Sequence, residues 1–131
     1  MEKLEPFAAL IGRVLLAFLF IGAGFNKFGA GAENIVPYME NFGVPGFLYW
    51  PTVLFEILGG VAVLVGFQTR IVALLMAGFC IMTAVLFHND FSQQVEAALF
   101  LKNVAIGGGF LILFRFGAGE FSVDNRGSAA D

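Results

Sequence analysis

The sequence predicts an all-α integral membrane four-helix bundle. Three observations predict it. Of 131 residues, 59% are hydrophobic and only 13% are charged, with a mean hydropathy of +0.86; soluble domains run at about 45–50% apolar and about 25% charged. A chain this short cannot hide that much apolar surface from water, so the surplus must face lipid. The apolar residues also gather into four runs of the length that crosses a bilayer, about 20 residues each. Finally, the later runs are joined by short polar links, which make antiparallel neighbours.

The first span is expected over residues 7–28. It reads as a span and not as a cleaved leader. Glu2 and Glu5 offset Lys3 before it, Arg13 interrupts the apolar run, and no clear cleavage site follows. The next connection, GAGAENIVPYMENFGVPG, is punctuated by glycine and proline. Its middle, AENIVPYMENF, can form a short interfacial helix in this first outer loop, turning Ile35, Tyr38, Met39 and Phe42 towards the membrane. Tyr49 and Trp50 then open the second span as an aromatic belt. That span covers residues 47–67, the turn GFQTR follows, and the third covers 70–88. NDFSQQVE leads to the fourth at 96–116, and residues 117–131 form a tail. Each run is too continuously apolar for a surface helix, and helices satisfy their own backbone groups in hydrocarbon. The whole is expected to be one four-span domain.

Orientation follows from lysine and arginine in short loops. Lys3, Arg70, Arg115 and Arg126 share the side of both termini, while Lys27 and Lys102 lie towards the other side amid Glu33, Glu40, Asp90 and Glu96. Both termini, and the tail, are therefore expected in the cytoplasm (N-in/C-in). The net charge of −3 includes no basic patch that would neutralise nucleic-acid phosphates. One cysteine, Cys80, makes neither an internal disulfide nor a redox pair. With one histidine, His88, no dedicated metal site is expected. The 17 glycines, many inside spans, let helices approach closely. They serve packing within one bundle first and leave a homo-oligomer open.

Charges inside spans are costly and face a bundle interior. Arg13, Glu56 and Lys102 are the three, with Lys27, His88 and Asn103 near them in depth. At about 1.5 Å rise per residue, Arg13 from below and Lys102 from above can each reach towards Glu56. Glu56 is most simply a buried counter-charge for Arg13 or Lys102. It shares its face with Gly59, Gly60 and Val63, a glycine floor with room for something flat, and the glycine run Gly107–Gly109 can loosen the fourth span or admit a ligand. The sharper reading makes the polar interior a small-molecule site, with Glu56, Lys102, Asn103, His88 and Lys27 as ligand-binding candidates. A carbonyl-bearing head such as a quinone would accept hydrogen bonds there, and a carboxylate or imidazole would relay its protons.

At these residues the chain resembles the DoxX family. The resemblance rests on GRVLLAFLFIGAGFNKF, FEILGGVAVLVGFQTR, the FH closing the third span, FLKNVAIGGGFLIL and the tail GAGEFSVDNR, and covers almost the whole chain. It implies a multi-pass protein of the bacterial cytoplasmic membrane, associated with redox chemistry. Family-typical polar residues would be Arg13, Lys27, Glu56, Arg70, His88, Lys102 and Asn103. The expected function is a quinone-linked, redox-associated membrane subunit with a membrane or soluble oxidoreductase partner and no tightly bound metal or flavin. The alternatives are a non-enzymatic scaffold recruiting a soluble oxidoreductase and a small-solute transporter. No internal repeat of the kind transporters use is found.

Overall fold

The computed structural model describes residues 1–126. The helices are α1 (Glu5–Phe25), α2 (Gly31–Asn41), α3 (Tyr49–Val65, entered through a 3-10 turn at Gly46–Leu48), α4 (Thr69–Phe87) and α5 (Gln94–Phe116). Four are long and apolar enough to cross a membrane, the third such segment in chain order being Thr69–Phe87. Only 11% to 33% of their most apolar windows is buried within the protein, so most of their apolar surface faces outward, as lipid requires.

The bundle consists of two tight helix pairs. α1 packs along α3, and α4 along α5, while contacts between the pairs are few. Small residues make the close approaches. A Cβ on Gly60 would lie 2.7 Å from Ile21 Cγ1 and 3.3 Å from the Ala17 carbonyl, and one on Gly24 would strike Ile57. In the other pair, a Cβ on Gly107 would sit 3.1 Å from Ile81 and 3.4 Å from the Ala77 carbonyl. The expected glycine floor beneath Glu56 is therefore not open space. The Met76 side chain fills the place beside Gly59, and α1 fills the place beside Gly60. The Gly107–Gly109 run does not loosen its helix either, since α5 is continuous through it. Where the pairs meet, Ala17, Phe20, Val63, Ala73, Met76, Ala77, Cys80, Phe110 and Leu113 form the core.

The end of the bundle where α1 begins and α5 finishes is closed by the tail. α3 stops at Gly66, whose left-handed φ of 75° allows Phe67 N to reach back to the Ala62 carbonyl at 2.8 Å, a Schellman closure. The freed carbonyls of the last turn find distant partners. Arg13 Nη1 donates to Val63 O at 3.2 Å and Leu64 O at 3.3 Å. The tail then crosses the turn, with Val123 N donating to Val65 O at 3.0 Å and Asp124 N to Gly66 O at 2.9 Å. Arg13 Nη2 holds the tail by the Phe121 carbonyl. Asp124 caps the next helix, accepting from Gln68 N at 2.7 Å and Thr69 N at 2.8 Å. The tail expected over 117–131 is thus a clasp as far as residue 126, and residues 127–131 lie outside the described residues.

Burial alone would raise the Asp124 pKa. The contacts from Thr69, the Thr69 and Gln68 backbone N–H groups and nearby Arg13 outweigh it and hold the carboxyl below its usual value. The Thr69 hydroxyl itself is fully buried and makes no hydrogen bond of good geometry, so the two backbone donors are the firm part of that cap.

α2 forms as the short helix expected, with its apolar residues divided between the bundle and the exposed surface. Met39 is buried against Tyr49 and Val53, with Ile35 packed on the same cluster. Tyr38 and Phe42 lie on Phe87, with ring centroids 5.6 and 5.3 Å away. α2 therefore covers the far end of α3 and α4 with Met39 and Ile35, while Tyr38 and Phe42 remain 41% and 39% exposed.

Candidate functional site

Towards the far end the two helix pairs part, and a cavity of about 400 Å³ occupies the wedge between them. That is within the usual range for small-molecule sites. Phe20, Phe79 and Ile106 form part of its lining, and Tyr38, Met39 and Val44 line it from α2 and the loop that follows. Glu56, Lys27, His88, Lys102 and Asn103 all line it as well. The five ligand-binding candidates named from the sequence are therefore brought to one place.

Their partners differ from those expected. Glu56 does not pair with Arg13. It pairs with Lys27, whose Nζ lies 2.9 Å from Oε1 and 2.8 Å from Oε2. The Glu56 side chain is 4% exposed and that of Lys27 20%. Arg13 is occupied two helical turns away along α3, where it caps the last carbonyls. A cation there serves the helix dipole as well as the open backbone acceptors. Lys27 stands just beyond α1, in line with the helix's buried face of Arg13, Ala17, Phe20 and Gly24. Tyr49, 1% exposed, donates its hydroxyl to the Lys27 carbonyl, and Lys27 Nζ also donates to the Ala23 carbonyl at 3.4 Å. The backbone is thereby fixed where the side chain can reach the carboxylate.

Lys102 does not reach Glu56 either. It borders the cavity, exposed, and makes no ion pair or hydrogen bond among the described residues. Asn103 Nδ2 donates to Thr83 Oγ1 at 3.4 Å, and that hydroxyl donates to the Cys80 carbonyl at 3.0 Å. His88 Nδ1 lies 3.0 Å from Glu96 Oε2, which leaves Nε2 without a partner among the described residues. Burial, and then the charge of Glu96, push the Tyr38 phenol pKa up; its hydroxyl donates to the Phe87 carbonyl at 3.4 Å.

Glu96, Thr83 and Tyr38 were not among the site candidates. A signal for two of them was present. His88 and Glu96, Thr83 and Asn103, and the contacting Ala77 and Gly107 are each nearly equidistant from the turn around Ser92. That is the register of one antiparallel helical hairpin. Among the described residues no group of three or more His, Cys, Asp or Glu side chains is placed to hold a metal ion.

Chemically, the cavity offers an apolar body with polar groups at one end. A neutralised ion pair lies on the α1/α3 wall. A free ammonium, an amide and an imidazole with a carboxylate behind it lie on the α4/α5 wall. Such a surface suits a ligand with an apolar ring or chain and hydrogen-bonding oxygens.

The comparisons with known proteins agree with this architecture. The sequence matches the DoxX family over residues 8–89. It is 46% identical over 124 residues to "Inner membrane protein YqjF" of Escherichia coli strain K12, covering 95% of each chain. It is 33% identical over 129 residues to "Inner membrane protein YphA" of the same organism, covering 93% of this chain and 91% of that one. It is 34% identical over 77 residues to "Putative oxidoreductase CatD" of Bacillus subtilis strain 168, covering 59% and 57%. No solved structure matches. The family match and the near full-length likeness to inner-membrane proteins, together with the four spans, lead to one conclusion: this chain is a multi-pass inner-membrane protein that belongs to the DoxX family.

Proposed function

We propose that the cavity binds a small redox-active amphiphile of the quinone type, and that the protein is the membrane subunit serving an oxidoreductase. The observation that carries this is the convergence of Lys27, Glu56, His88, Lys102 and Asn103 on one otherwise apolar cavity. Buried or half-buried polar side chains inside a span are costly unless they bind something or each other. Here the half-buried His88 has one imidazole nitrogen without a partner among the described residues, and the exposed Lys102 borders the cavity with its ammonium unpaired among them.

The donor set fits a quinone head. Lys102 Nζ and the Asn103 amide can donate to a carbonyl oxygen, and phenylalanine walls suit a flat ring. A bound quinone supplies two-electron, two-proton carrier chemistry. The protein's part is to hold the head, exclude water with α2 and move protons. His88, with Nδ1 on Glu96, can accept or donate at Nε2. The Lys27–Glu56 pair holds a fixed field on the opposite wall. The oxidoreductase association is supported by the likeness to the Bacillus subtilis relative named as an oxidoreductase. The lysine and arginine distribution supports a cytoplasmic position for the clasped end, where a soluble partner would meet it.

The test is titration of a benzoquinone carrying a decyl chain into the nanodisc-embedded protein. Wild type should bind saturably. Lys102→Met should weaken binding about ten-fold or more, since a hydrogen bond to a charged group contributes about 1.5–3 kcal/mol and about 1.4 kcal/mol is ten-fold; Asn103→Leu, which removes a neutral donor, should weaken it about two- to ten-fold. Absence of saturable binding to wild type overturns the proposal.

A further inference from the structure

The way into the cavity can be read from which of its sides are closed. Towards water, α2 lies across the far end. Tyr38 stacks on Phe87 at 21° between planes, Phe42 meets the same ring, and Met39 is buried between α2 and α3. Beside it, the end of α1 is tied to α3 by the Lys27–Glu56 pair and by the Tyr49 hydroxyl on the Lys27 carbonyl.

The flank between α1 and α5 has no such closure. Near the clasped end these helices touch, with Leu16 over Gly109 and the Phe20 and Phe110 rings 5.5 Å apart. Beyond Phe20, no hydrogen bond, ion pair or aromatic contact among the described residues joins α1 to α5. The residues on either lip line the cavity: Leu19 and Ala23 on α1, Lys102, Asn103 and Ile106 on α5. Leu19 is 38% exposed. In a membrane, that exposure is to acyl chains. The lip is apolar over Leu19, Ala23 and Ile106 and ends in the ammonium of Lys102, whose flexible stem can follow a head group from the interface inward.

We infer that the cavity is loaded sideways from the bilayer through the gap between α1 and α5, and that its ligand is an amphiphile whose tail remains in lipid between Leu19, Ala23 and Ile106. This deepens the proposed function and rests on it for the nature of the head group. The access route is tested without any quinone. With Trp50, the single tryptophan, replaced by Phe, Ile106→Trp places a reporter at the inner lip. Its fluorescence should be quenched by brominated phosphatidylcholine about as strongly as that of a Leu101→Trp control, which lies on the lipid face at 65% exposure. Aqueous iodide should leave it unquenched. Quenching by iodide, or the absence of bromolipid quenching, overturns lateral access.

If Ile106→Trp does not fold, Leu19→Trp on the opposite lip gives the same reading in the same background: quenching by bromolipid and not by iodide supports the route, and the reverse overturns it. The quinone enters only in a last arm. Ala23→Trp narrows the gap and should slow association of the decyl-chain benzoquinone on the order of ten-fold; an unchanged association rate overturns the route. Bromolipid quenching without any quinone binding would leave the route standing and overturn the quinone head. Quinone binding with iodide quenching would do the opposite.

Discussion

Replacing Lys27 with methionine removes the partner of a carboxylate that is only 4% exposed. Both Glu56 oxygens then lose the Nζ that stood 2.8 and 2.9 Å away. The orphaned group has two courses. It can stay charged without a partner, for which broken buried pairs lose about 3–5 kcal/mol. It can instead take up a proton. At pH 7, protonating a carboxyl with a solution value near 4.3 costs about 3.7 kcal/mol, at about 1.36 kcal/mol per pH unit. The cheaper course sets the loss, so Lys27→Met should lose about 3–4 kcal/mol at pH 7. At pH 5 the protonation cost falls to about 1 kcal/mol, and most of the deficit should disappear.

Glu56→Gln is not the mirror image. Lys27 stands beyond α1 with its side chain 20% exposed, and a lysine there can turn its ammonium to the interface. Its loss should be smaller, about 1–2 kcal/mol, and nearly independent of pH. The double variant should be more stable than Lys27→Met alone, a coupling read from a double-mutant cycle. The assay is reversible unfolding in mixed micelles at pH 7 and pH 5. A Lys27→Met loss that does not shrink at pH 5, or a Glu56→Gln loss as large as that of Lys27→Met, would refute the assignment of the pair.

Other outcomes follow from the same geometry. Arg13→Gln should cost about 2–4 kcal/mol, because two carbonyls at the end of α3 and one in the tail lose a charged donor; limited proteolysis should then cut the tail near Phe121, which wild type protects. Asp124→Ala should cost about 0.5–1 kcal/mol, the low end for a lost helix cap because the carboxylate is exposed. Its lowered pKa means that its stabilisation is present above the unfolded value near pH 4 and disappears as pH falls through the lower folded value, so the acid limb of an unfolding profile should flatten in Asp124→Asn. Gly60→Ala should lose about 1–3 kcal/mol, since the new Cβ meets α1 backbone as well as Ile21. Gly59→Ala should lose less, because the flexible end of Met76 can move aside, and Gly22→Ala, with nothing within 4 Å, should be neutral or better in the same unfolding assay.

The four spans were legible because lipid imposes a length and a composition that any run either meets or does not. The shared face of Glu56, Gly59, Gly60 and Val63 was legible from helical periodicity. Pairing was not. Depth along a helix axis allowed Arg13 to approach Glu56, but the last turn of α3 left carbonyls open, and those claimed the guanidinium. Lys27 continues the face of α1 that periodicity marks, through Arg13, Phe20 and Gly24, but a shared face alone did not single it out over Arg13 or Lys102 as the partner of Glu56. The tail clasp carries no apolar rhythm, and its contacts join residues more than fifty positions apart, as with Asp124 and Thr69. α2 shows a different limit. Its apolar residues were picked out, but composition does not say which of them, Met39 here, is buried against Tyr49 and which, Tyr38 and Phe42, stay exposed.

The most direct test of the central claim, that these residues build one ligand site, is photolabelling in the native membrane. An azido-benzoquinone with a decyl chain is photolysed with the protein, and the labelled peptides are mapped by mass spectrometry. Labelling concentrated between Phe79 and His88 on α4 and between Lys102 and Ile106 on α5, and suppressed by excess unlabelled quinone, is the predicted result. Label confined to outward residues such as Leu101 and Ile112, or indifferent to competitor, would contradict it.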